Sequence, residues 1–192
     1  MTPTWDSALA ALGRRLDERG VRHSLNVAEM AASLAETYSV DVEVARLAGL
    51  LHDWCKDIDG AELIELAEAH GISITEADRS VPYLLHAPVA AAELEQEFPG
   101  IPGEILDAVG AHTYGSASLT PLEMVVYVAD TLEPDRTHEG VEELRSLAGA
   151  VSLGELFART FADSLRHLVD SRRRIHPETD ATWNRIVEGK RG

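Results

Sequence analysis

The chain has 192 residues, 45% hydrophobic and 26% charged, which suits one globular domain with a proper core. Its formal charge of −16 excludes loose binding to nucleic acid or an anionic membrane, because phosphate contacts need clustered Lys and Arg. The lone Cys55 excludes an internal disulfide framework and fits a reducing compartment. With no basic-then-apolar leader and no run of membrane-spanning length, a cytoplasmic location is expected.

Helical periodicity dominates the sequence, and no alternating strand pattern appears. A first helix is predicted from Asp6 to about Arg19, stopped by Gly20. A second runs from Val21 to Tyr38, and a third from Val42 to Trp54, capped by Asp41 and apolar nearly all round. Asp59 or Gly60 opens a fourth, ending near His70 and Gly71. The stretch from Gly71 to Pro82 is irregular, with Thr75 able to cap a short turn.

A helix from Tyr83 to Phe98 is then expected, with Pro88 near its start, followed by a loop at residues 99–103 and a helix to His112. Residues 113–116 break the chain. Thr120, Pro121 and Glu123 form a capping signal for a helix that reaches Asp130 and stops near Pro134. Helices over Gly140–Ala148, Leu153–Arg172 and Glu178–Val187 complete an all-α chain. Residues 1–20 read as an N-terminal helix packed on the same single domain that residues 21–192 form. The outer helices carry apolar faces that would permit a homodimer.

The residues that carry chemistry stand mostly at predicted helix ends. His23, the pair His52-Asp53, His86, His112 and Asp130 follow one another in an order that reads as a metal site between core helices. Each also has a structural reading: His23 as an ordinary polar position, His86 as a loop residue, His112 as a partner of a helix C-terminal dipole. Asp130 is harder to dismiss, because it follows the apolar run MVVYVA, where an unpaired carboxylate is costly. Imidazole with carboxylate suits Fe, Mn, Co or Zn, and the lack of paired Cys argues against a structural zinc site.

His23, His52, Asp53 and Asp130 can furnish one metal. Adjacent residues differ by about 100° around a helix, so His52 and Asp53 reach one ion only where the helix ends. His86 and His112 could complete a second metal site bridged by Asp53, or touch a phosphate. His70, His138 and His167 read as surface residues, and Cys55 as a small buried side chain.

This arrangement resembles the HD superfamily of metal-dependent phosphohydrolases, and further matches narrow it to the YqeK-type symmetrical diadenosine tetraphosphate hydrolases. The matching blocks are RHSLNVAEMA, ARLAGLLHDWCKD, LLHAPVAA, AVGAHTYG, LEMVVYVADTLEPDR and RIHPET, spread between Arg22 and Thr179. The chain departs from the pattern at Gly20 and Val21 before the first His, at Trp54-Cys55 after the His-Asp pair, and at Ala87.

The resemblance implies an HD-type helical bundle with one or two iron ions at His23, His52, Asp53 and Asp130, with Mn or Co as substitutes. His86 and His112 would assist a second metal or the phosphates. Substrate contacts are implied at Asp53, Trp54, Cys55, Lys56, His86, His112, Thr113, Asp130, Arg136, Arg173, Arg174, Ile175, His176, Pro177 and Glu178. The implied reaction is symmetrical hydrolysis of diadenosine tetraphosphate and related dinucleoside polyphosphates to two ADP. A metal lowers the pKa of bound water from about 16 towards 7, and the resulting hydroxide would attack a phosphate.

Asp53, Lys56 and Asp57 are the expected catalytic residues. Lys56 would offset charge on non-bridging oxygens, and Asp57 could orient Lys56 or the water, or merely cap the next turn. Two other readings remain. One is an HD phosphohydrolase acting on a nucleoside monophosphate or a guanosine alarmone. The other is a nucleotide-binding module without catalysis, which would be marked by loss of a metal ligand or of Lys56.

Overall fold

The computed structural model describes residues 3–116 and 119–189, and every regular element among them is helical. In chain order these are α1 (Trp5–Leu12), α2 (Glu18–Tyr38), α3 (Val42–Leu51), α4 (Gly60–Ala69), α5 (Glu76–Ser80), a 3-10 turn (Pro82–Leu85) and α6 (His86–Glu97). There follow α7 (Gly103–Ala111), α8 (Pro121–Leu132), α9 (Val141–Leu147), α10 (Leu153–Asp170) and α11 (Pro177–Gly189). The all-α class expected from the periodicity is what forms. None of these helices is long and apolar enough to cross a membrane.

Local chemistry sets most boundaries. Asp41, Asp59 and Ser152 each accept a backbone N–H at the start of α3, α4 and α10, and Thr75 with Asp78 and Thr120 with Glu123 form capping boxes for α5 and α8. Each such cap contributes about 1 kcal/mol.

Gly20 corrects the sequence reading. It does not stop the first helix; it lies inside α2 and donates its N–H to Asp17 Oδ1 at 2.7 Å. α1 has already ended at Leu12, so an N-capping aspartate, rather than the glycine, marks the boundary. α6 likewise starts at His86, with Tyr83 assigned to the preceding 3-10 turn.

Helices α2, α3, α7 and α8 form the centre, with α1 against α3, α6 against α7 and α10 against α8. Phe157 and Phe161 of α10 meet Tyr127 of α8 with ring centroids 5.3 Å apart in both cases. The α2–α3 contact is lined by small residues, including Ala28, Ala31, Ala45 and Ala48, all fully buried. There a Cβ on Gly49 would lie 3.0 Å from both Ala28 Cα and Val27 O. Backbone cannot move aside cheaply, so Gly49→Ala is expected to destabilise the protein by about 1–3 kcal/mol, read as a lowered denaturation midpoint. This close approach holds His23 of α2 near His52, just beyond α3.

Candidate metal centre

α3 ends at Leu51, three residues before the expected Trp54, and His52 and Asp53 lie in the turn that follows. A helix end leaves its last carbonyls without partners, and His52 uses one of them: its Nδ1–H donates to Gly49 O at 2.8 Å. His112, which closes α7, repeats the arrangement on Val109 O at 2.7 Å. His86 does so on Tyr83 O, also at 2.7 Å. A carbonyl can only accept, so in each neutral ring Nδ1 carries the proton and Nε2 presents a lone pair.

Those lone pairs converge on two carboxylates. Asp53 Oδ2 lies 3.2 Å from His52 Nε2 and 3.4 Å from His23 Nε2. Its other oxygen, Oδ1, lies 3.4 Å from His86 Nε2 and 3.6 Å from His112 Nε2. Asp53 therefore faces two imidazole pairs at once. Asp130, from α8, places Oδ1 3.0 Å from His23 Nε2 and 3.8 Å from His52 Nε2.

The group fits a divalent metal on its own chemistry. Although His23 Nε2 is close to carboxylate oxygen, neither it nor the buried His52 Nε2 has a partner with hydrogen-bond geometry. His86 and His112 bring their Nε2 atoms to 3.0 Å, so two lone pairs confront each other unless a cation or proton stands between them. His23, His52 and Asp130 form one set of donor atoms close enough for an ion; His52, Asp53 and His112 form another.

Electrostatics ties the site together. Burial opposes the charged form of Asp53, but the surrounding imidazoles outweigh it and hold the carboxyl well below its ordinary range. Asp130 is likewise held down against burial, by His23 and His52 and by Arg136. Lys56 Nζ hydrogen-bonds Asp53 Oδ2. Arg136 grips Asp130 twice, through the backbone O at 2.9 Å and Oδ1 at 2.6 Å.

Burial alone would lower the His23 pKa, but Asp130 and Asp53 raise it to about 9. In the metal-free protein, His23 therefore contributes stability that is full below the ordinary value and is lost as pH rises through about 9. A metal held by His23 would have to displace that proton. Its affinity is expected to rise across this window and level off above it, checked by manganese titrations from about pH 6.5 to about 9. A flat profile would contradict the arrangement.

One residue of the site escaped the sequence reading. Glu133, 2% exposed, accepts from His23 Nδ1 at 3.2 Å, Asn26 Nδ2 at 3.1 Å and the Asp135 N–H at 2.7 Å. It orients His23 as the backbone carbonyls orient the other imidazoles. Its signal was present, because Glu133 stands three residues after Asp130 and so near the same helix face.

The other expected site residues have different surroundings. Asp57 is exposed and accepts the backbone N–H of Asp17 at 3.4 Å. The Trp54 and Cys55 side chains face the core, with Arg15 stacked 4.4 Å over the indole, and burial pushes the Cys55 thiol up to about 12. His176 is buried, with Nε2 3.1 Å from Asp78 Oδ1 and Nδ1 accepting the Glu178 N–H, and its ring stacks on Tyr114. This brings α11 against the turn after His112, where a Cβ on Gly115, at φ +79°, would come within 2.5 Å of Thr182 Cγ2. Arg173, Arg174, Ile175, Pro177 and Glu178 are exposed, and Arg174 reaches Ser80 Oγ at 2.9 Å. Thr113 Oγ1 is buried with no hydrogen-bond partner. His70 is not a free surface residue; it pairs with Glu93 at 2.8 Å.

Helices that bring imidazoles and aspartates together in this order define a class. The HD domain family model matches residues 20–135, more than half of the chain, and the chain belongs to that family. A crystal structure from Clostridium acetobutylicum, described as a predicted HD superfamily hydrolase involved in NAD metabolism, superposes with a TM-score of 0.91. It is 30% identical and covers 98% of this chain and 99% of its own.

Within the family the similarity is narrower. The symmetrical bis(5'-nucleosyl)-tetraphosphatase of Bacillus subtilis is 32% identical over 96% of this chain and 98% of its own length. The protein of that name from Staphylococcus aureus is 37% identical over 70% of this chain and 69% of its own.

Proposed function

We propose that the protein hydrolyses diadenosine tetraphosphate, and related dinucleoside polyphosphates, symmetrically to two ADP. The observation that carries this reading is the Asp53 carboxylate facing two imidazole pairs, in a chain similar along most of its length to symmetrical tetraphosphatases. His23, His52, Asp53 and Asp130 would hold one metal, for which iron is proposed with manganese or cobalt as substitutes. His86 and His112, with Asp53, would hold a second or meet the phosphates. The cytoplasm is the proposed location, in keeping with the buried, unpaired Cys55.

A phosphoanhydride resists attack because its oxygens are anionic. When bound, the metal supplies Lewis-acid charge and acidifies water towards a pKa of about 7. The protein's own residues supply position and further charge. Asp53 and Asp130 remain ionised, because the imidazoles and Arg136 hold their pKa values down.

Lys56 is paired to Asp53, and its side chain is 30% exposed; it would meet a non-bridging oxygen as charge builds on it. Arg136 fixes Asp130 from the outer side. ADP leaves through a terminal phosphate of low basicity, so no strong general acid is required.

The test is a substrate panel on metal-loaded protein: diadenosine tetraphosphate, adenosine monophosphate and a guanosine tetraphosphate alarmone. A kcat/KM for the dinucleotide at least about a hundredfold above the others is expected, equivalent to about 2.7 kcal/mol of discrimination. Preference for either of the others would move the protein to a different HD phosphohydrolase activity.

A further inference from the structure

The cations nearest the site, Lys56 and Arg136, each bond one of its aspartates: Lys56 is bonded to Asp53, and Arg136 to the carboxylate and backbone of Asp130. Beside these cations, a neutral donor would serve a polyphosphate entering between two ionised aspartates without adding charge. Tyr83 offers one. It is 47% exposed, and its hydroxyl has no hydrogen-bond partner among the described residues.

Its position is fixed from both ends. Tyr83 lies in the 3-10 turn, where Leu84 N donates to Val81 O at 3.0 Å, and its own carbonyl holds the His86 ring. The phenol ring lies against that same imidazole, with centroids 4.6 Å apart and planes inclined by 38°. Lys56, Asp53, Asp130 and Arg136 are all near enough for their charges to act on the phenol. The side chain therefore borders the histidine group and opens to solvent.

We infer that Tyr83 is a substrate-binding residue, whose hydroxyl donates a hydrogen bond to a non-bridging phosphate oxygen of the bound polyphosphate. A phenol is suited to this place. With an ordinary pKa near 10 it is neutral at physiological pH, so it donates without needing a counter-ion.

The inference rests on the reading of the site as a phosphohydrolase centre, but it can be tested without turnover. Tyr83→Phe keeps the ring and the carbonyl that holds His86, and removes only the donor. Inorganic phosphate would be titrated into manganese-loaded wild-type and Tyr83→Phe protein by calorimetry, with metal content and melting temperature measured on both. A loss of phosphate affinity of about 10-fold or more is expected at unchanged metal content and melting temperature, with a parallel loss in kcat/KM for diadenosine tetraphosphate.

Equal phosphate affinity in the two proteins would overturn the assignment, as would a wild-type protein that binds no phosphate. Protein that binds phosphate through Tyr83 yet leaves diadenosine tetraphosphate intact would retain the assignment and overturn the substrate.

Discussion

Asp53→Ala is expected to reduce turnover by on the order of a thousandfold or more while leaving the helical content intact. The size follows from position. Asp53 is 2% exposed and places one oxygen towards His23 and His52 and the other towards His86 and His112. Without it both imidazole pairs lose their common anionic partner, and Lys56 loses its counter-ion.

The fold survives because the apolar contacts among α2, α3, α7 and α8 do not pass through this carboxylate, and Lys56 can turn to solvent. Far-UV circular dichroism, metal analysis and a turnover assay on one preparation check this. Retained activity at full metal content would remove Asp53 from the centre of the account.

Glu133→Gln is expected to weaken metal binding by about 10- to 100-fold, the usual cost of losing a partner that orients a ligating imidazole. The substitution is nearly isosteric, so its effect isolates charge and acceptor count. Glu133 receives N–H groups from His23, Asn26 and Asp135, with Oε1 facing the first and Oε2 the other two. An amide has one oxygen. It must turn an NH2 group towards at least one of these donors, leaving a buried pair unsatisfied and the His23 ring less firmly held. Metal titration with an optical or calorimetric readout gives the affinity, and an unchanged value would make Glu133 a purely structural acid.

These two residues also show what the sequence could and could not reveal. Asp53 was legible because it sits beside His52 at the end of an apolar helix, in a chain that places further His and Asp at other helix ends. Glu133 was not singled out, because a glutamate before proline at a helix end has an ordinary capping or surface reading. Only the distance to His23, 110 residues away in sequence, reveals its task.

Asp57 reads in sequence as able to orient Lys56 or to cap the next turn; residues 52–57 form turns, and its carboxylate accepts the backbone N–H of Asp17. Tyr83 read as the start of a helix, and nothing in its neighbours announces the 3-10 turn that presents its ring to His86. The all-α class was legible throughout, since capping residues and apolar periodicity agreed; the boundary at Gly20 was misplaced because an aspartate three residues earlier caps the helix that contains it.

The most direct test of the account is the identity of the products from diadenosine tetraphosphate. Protein purified anaerobically and loaded with iron would be incubated with the dinucleotide and its products separated by chromatography. Two ADP per substrate consumed is the predicted result. AMP with ATP would show a metallohydrolase that cuts at a different phosphate and would contradict the symmetrical geometry; no cleavage with the metal bound would contradict the proposed substrate.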